Sequence, residues 1–129
     1  MAVVIHGRMT IRPKMLEETR SAAIQMGEAS RADPGCNEYL FTQDLVDPAV
    51  LILAEEWASA EALQAHMATP RFASFSELLA RVIAAQPDFL RFDASRPRHG
   101  SSRNVQPSRT SRSPEREISA ATRRFAMQP

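Results

Sequence analysis

With 129 residues and 43% hydrophobic side chains, the chain has the length for one domain and enough apolar content to fold it. Its net charge of +1 conceals two stretches of opposite sign: residues 1–95 carry eight Lys/Arg against thirteen Asp/Glu, and residues 96–129 carry eight arginines against Glu115 and Glu117. The lone Cys36 excludes an intrachain disulfide, the opening "MAVVIHGRMTI" is too short an apolar run for a secretory signal, and nothing approaches the roughly 20 apolar residues of a membrane span. A soluble, cytoplasmic protein is expected.

Val3, Ile5, Gly7, Met9 and Ile11 alternate with Val4, His6, Arg8 and Thr10, which predicts a strand with one face on a core. Pro13 suits the first turn of a helix, where its missing N–H costs nothing. Leu16, Thr19, Ala23 and Met26 then recur at helical spacing over about four turns. "ADPGC" is a turn. "CNEYLFTQD" and "AVLILAEEW" follow as strands joined by "LVDP", an antiparallel hairpin.

Ser59 caps a helix through "AEALQAHMA". Thr69-Pro70 restarts it as a second helix, with Phe72, Phe75, Leu79 and Val82 on one stripe. Pro87 is expected to stop that helix, and "DFLRFD" reads as a last short strand. The order β-α-β-β-α-β predicts an α+β, ferredoxin-like domain over residues 1–95: a four-stranded antiparallel sheet with helices on one face.

Residues 96–129 are rich in Ser, Arg and Pro and have few large apolar side chains, so they are expected to form a disordered tail. Within it "SPEREISAATRRF" has the pattern of a short helix capped by Ser113, marginal in isolation. An electrostatic arm for nucleic acid would need more than charge, and no aromatic residue interleaves with the arginines before Phe125. Nucleic acid is not an expected partner.

No metal is expected. His6, His66 and His99 lie on separate elements, without His-x-x-x-His or Cys-x-x-Cys spacing. The four glycines, at 7, 27, 35 and 100, make no phosphate-binding loop. Cys36 reads as a small core residue. Trp57 should share a strand face with Leu51, Leu53 and Glu55, either as core or as a pocket wall. Glu55 on that apolar face needs solvent, a partner or a polar cavity. His66, beside the apolar stripe of its helix, is either structural or a base, since histidine as a residue type exchanges a proton near neutral pH.

"DPGCNEYLFTQDLVDPAVLILAEEWASAEALQAHMATPRFASF" resembles the antibiotic biosynthesis monooxygenase (ABM) family, including its quinol-monooxygenase-like members. The resemblance rests on Pro34-Gly35-Cys36, on Glu55 to Trp57, on Ser59 to Leu63 and on His66 to Phe72, and with the first strand and Arg12-Pro13 it spans about residues 2–93. It implies a homodimeric α/β barrel and a pocket between sheet and helices. It further implies oxygenation of a small phenolic, quinol or polyketide-like aromatic by O2, with no cofactor. His66 would be the base, Trp57 and Glu55 would shape and polarise the pocket, and Asn37, Tyr39 and Phe72 would line it. Arg71 stands where many members carry a second histidine. The positions of the haem-degrading branch carry Gly7, His66 and Ser76, which speaks against that reaction. A non-catalytic small-molecule-binding dimer and an isomerase are the alternatives the resemblance leaves open.

Overall fold

The computed structural model describes residues 1–97. The remaining segment, which holds nearly all of the expected tail and its Ser113-capped helix, lies outside the described residues.

Strand β1 (Ala2–Thr10) leads through a short 3-10 turn, Pro13–Met15, into helix α1 (Leu16–Arg31). Strands β2 (Cys36–Gln43) and β3 (Val50–Trp57) form the hairpin, followed by α2 (Ala60–Met67), α3 (Pro70–Val82) and β4 (Asp88–Ala94). The strands form one antiparallel sheet in the order β2-β3-β1-β4. This is the predicted α+β, ferredoxin-like arrangement. No helix among the described residues is long and apolar enough to cross a membrane.

Alternation decides the two faces of the sheet. Val3 and Met9 of β1 and Leu51, Leu53 and Trp57 of β3 are buried, and they pack with Ala23 and Met26 of α1 and Phe75, Leu78 and Val82 of α3. Residues of the opposite parity form the other face. There the register sets Val4 beside Phe92 and His6 beside Leu90, and Leu40, Leu90 and Phe92 are 43%, 50% and 51% exposed. Gly7 sits opposite Phe89 on the helix-side parity, and the Phe89 ring occupies the space a Gly7 side chain would need.

The caps hold as read. The Ser59 hydroxyl accepts from the Ala62 N–H at 3.1 Å, and the Thr69 hydroxyl accepts from the Phe72 N–H at 3.2 Å. One boundary differs from expectation: α3 ends at Val82, not at Pro87. Ile83 turns extended and bridges to Ile11, the Arg12 N–H donates to the Val82 carbonyl, and the Ala84 N–H donates to the Thr10 carbonyl. Pairing with the end of β1 satisfies these groups before proline becomes relevant.

Candidate functional site

Three local features bring the site together beneath the helices. The first is the "ADPGC" turn, where Gly35 has φ +78°, a conformation that favours glycine, and where an added Cβ would lie 2.6 Å from the Ala62 Cβ of α2. The turn therefore lies tight against α2 and delivers Asp33 to the foot of that helix. The second is a bulge in β2. Cys36 pairs with Trp57 and Glu38 with Glu56, so Asn37 is the extra residue. The bulge turns Cys36 and Tyr39 to the same face and leaves Asn37 exposed. The third is the junction of α2 and α3, where the Thr69 hydroxyl donates to the His66 carbonyl at 2.7 Å and holds the end of α2.

His66 is 1% exposed. Its Nδ1 lies 2.9 Å from Asp33 Oδ2, and its Nε2 lies 4.0 Å from Glu55 Oε1, beyond hydrogen-bond reach. Nε2 is buried and has no hydrogen-bond partner among the described residues. Arg71 Nη2 pairs with the same Asp33 oxygen. On the other side, the Trp57 indole N–H donates to Glu55 Oε1 at 3.0 Å. The result is a polar chain through the core: Arg71, Asp33, His66, then a gap, then Glu55 and Trp57.

Aromatic rings enclose the imidazole. Trp57 lies against it at 4.6 Å between centroids with a 35° tilt, and Tyr39 and Phe72 approach at 5.4 Å. The four predicted residues Glu55, Trp57, His66 and Tyr39 are thus in one cluster, all buried, with the half-buried Phe72 at its edge. Asn37 is not in it. Asp33 is the residue that sequence reading misses, because the "ADPGC" stretch reads only as a turn. The acid ahead of Pro-Gly was a visible signal, but its partner lies 33 residues away. Arg71, read only as a departure from the family pattern, is a structural partner of Asp33.

The two carboxylates are pushed in opposite directions. Burial works to raise Asp33, but hydrogen bonds from His66 and Arg71 and their charge outweigh it and hold the carboxyl below its ordinary value. Burial raises Glu55 above its ordinary value, and the Trp57 hydrogen bond offsets only part of this. An ionised Asp33 only accepts, so the proton of a neutral His66 belongs on Nδ1 and the lone pair on Nε2. Burial, followed by the Asp33 and Glu55 charges, pushes the Cys36 thiol up, which keeps it protonated and poorly nucleophilic. Burial and the Glu55 charge likewise push the Tyr39 phenol up, so Tyr39 is a neutral hydroxyl here.

Two grooves mark the surface nearby. One, of about 300 Å³, lies between α1 and β2 and includes none of the predicted site residues. The other, of about 410 Å³, lies between α1 and α3 and reaches Arg71. Neither is lined by His66, and at 1% exposure the imidazole is closed off in this conformation.

The sequence profile described as antibiotic biosynthesis monooxygenase matches residues 2–78, which includes β1 through most of α3 and every residue of the cluster. An uncharacterized protein of Synechocystis sp. is 32% identical over 75 residues, 58% of this chain and 51% of that one. The chain thus spans about half the length of this curated relative. Among solved structures, one described as an antibiotic biosynthesis monooxygenase is 26% identical with a TM-score of 0.68, covering 74% of this chain and all of its own. A protein of Mycobacterium tuberculosis shares the fold at a TM-score of 0.70 and 20% identity, over 76% of this chain and 99% of that one.

Proposed function

Since the chain belongs to the antibiotic biosynthesis monooxygenase family, we propose that it oxygenates a small phenolic, quinol or polyketide-like aromatic with O2, without a cofactor, and that His66 Nε2 is the base. The observation that carries this reading is the asymmetry of the imidazole. Nδ1 is committed to Asp33, while Nε2 is buried and has no partner among the described residues. An unpartnered buried nitrogen costs stability, and a substrate hydroxyl supplies the missing hydrogen bond.

In this reading the substrate hydroxyl gives its proton to Nε2. The resulting electron-rich anion gives an electron to O2, and recombination forms the new C–O bond. One oxygen atom stays in the product and the other leaves as water, with both reducing equivalents drawn from the substrate. Asp33 sets the tautomer and stabilises the imidazolium, and Arg71 keeps Asp33 ionised. The aromatic cage excludes water from the reactive anion. Phe72, the half-buried member of the cage, has to move aside for the substrate to reach Nε2.

The test is oxygen uptake by metal-free protein over a panel of hydroquinones. Turnover that depends on His66 supports the proposal, and no turnover with any of them contradicts it. The burial of His66 to 1% favours a second reading, a small-molecule-binding protein without catalysis. That reading predicts no oxygen uptake and a fluorescence response from Trp57, the chain's only tryptophan. An isomerase using the same base would convert substrate without consuming oxygen.

We further propose that the chain is a homodimer. Among the described residues the helices α1, α2 and α3 pack on one face of the sheet, and Leu40, Leu90 and Phe92 stand exposed on the other, with the half-buried Val4 and Ile52 on the same face. Val50, of the same strand parity as Ile52, is already buried at 4%. Light scattering should give twice the 14.4 kDa chain mass; a monomer at micromolar concentration contradicts the proposal.

A further inference from the structure

The groove between α1 and α3 has chemistry of its own. Its volume of about 410 Å³ falls in the range of small-molecule sites, roughly 300–1,000 Å³. Met26, Phe75 and Leu78 make an apolar floor, Gln25, Ser74 and Arg71 supply polar groups, and no carboxylate among the described residues lines it. Arg71 belongs both to this groove and to the buried cluster. Its Nη2 pairs with Asp33, while its Nε is buried without a hydrogen-bond partner among the described residues. A guanidinium carries five donors in one plane, so the bond to Asp33 leaves capacity for a second acceptor. Arg71 also sits in the first turn of the 13-residue helix α3, where the helix dipole favours negative charge.

We propose that this groove binds a small amphipathic anion, a flat apolar body carrying a carboxylate or phenolate. The body lies on Met26, Phe75 and Leu78, and the anionic group accepts from Arg71. Arg71 then serves two anions at once. Occupancy weakens the Arg71–Asp33 pair, and with it one of the contacts that keep Asp33 ionised beside His66, so the groove and the buried imidazole are energetically linked. A purely apolar groove would have neither charge preference nor any sensitivity to Asp33.

The experiment is an amide NMR titration of the full chain with 1-naphthoate and with neutral 1-naphthamide. Naphthoate should shift the amides of residues 22–29 and 74–78, and naphthamide should bind at least about tenfold more weakly. Arg71→Met, which keeps most of the apolar stem, should abolish that preference. Asp33→Asn should tighten naphthoate binding severalfold, because Arg71 no longer shares its charge with a carboxylate. Ala22→Phe, which fills the groove from α1, should abolish binding of both probes, with circular dichroism confirming that each variant is folded. Shifts that map instead to the α1–β2 groove of Arg20 and Arg31 overturn the proposal. So does equal affinity for the two probes, or an Asp33→Asn variant that binds naphthoate no more tightly than the parent. Binding requires no oxygen chemistry, so a protein that binds naphthoate but consumes no oxygen contradicts the oxygenase proposal and leaves this one standing.

Discussion

Asp33 and Glu55 flank the same imidazole, 2.9 Å from Nδ1 and 4.0 Å from Nε2, in opposite circumstances. Asp33 comes from a glycine turn, is partly open to solvent, and has a cation in Arg71 that holds it ionised. Glu55 comes from the middle of the sheet and has one neutral donor, the Trp57 indole, against the full cost of burial. The first arrangement fixes a proton on one nitrogen, and the second leaves the other nitrogen unengaged. A histidine that served only packing would gain stability from a partner on each side.

Removing the shared element should have the largest effect. His66→Ala is expected to cut oxygen uptake by about 100-fold or more. Activity per folded molecule that persists in this variant, with stability lost, would make His66 structural.

Asp33→Asn comes next. It should lower activity by about 10- to 100-fold through loss of tautomer control. It should also cost about 1–3 kcal/mol at neutral pH by weakening two charge-assisted hydrogen bonds. Because the folded-state pKa of Asp33 is depressed, its stabilisation is present above the unfolded carboxyl value of about 3.9 and is lost as pH falls through the folded value. Urea titrations of parent and variant should therefore converge in acid.

Gly35→Ala probes how Asp33 is delivered. A side chain at φ +78° that also meets Ala62 should cost about 1–2 kcal/mol and lower activity by displacing the turn. Chemical denaturation measures the first effect and oxygen uptake the second.

Glu55→Gln should have the smallest effect, and the opposite sign. The pKa of Glu55 is raised in the folded state, so its cost to stability appears as pH rises above the unfolded value of about 4.3 and is complete above the folded one. The amide still accepts from Trp57, so the variant should melt a few degrees higher than the parent near pH 7 and alike near pH 4. A lower melting point at pH 7 would mean that Glu55 has a cationic partner in solution.

Much of this was legible in the sequence, for identifiable reasons. Periodicity of two and of 3.6 gave the strand faces and helix stripes, because burial enforces both locally. Glu55 stood out because a carboxylate on an apolar strand face requires a partner, and Trp57 two residues on is that partner. Asn37, expected to line the pocket, stands exposed because a one-residue bulge reverses parity, and such a bulge leaves no mark in composition. The end of α3 was set by pairing with Ile11, about 70 residues earlier in the chain, which local signals do not carry. Asp33 and Arg71 were invisible as a pair for the same reason. Their contact with His66 depends on how the "ADPGC" turn closes on α2, and that is a tertiary fact.

Nitrogen-15 NMR of histidine-labelled protein reads which ring nitrogen of His66 carries the proton. A neutral His66 should carry its proton on Nδ1 and none on Nε2, with Asp33→Asn relaxing that preference. A proton on Nε2 in the parent protein would leave no lone pair for a substrate hydroxyl and would contradict the role of His66 as base.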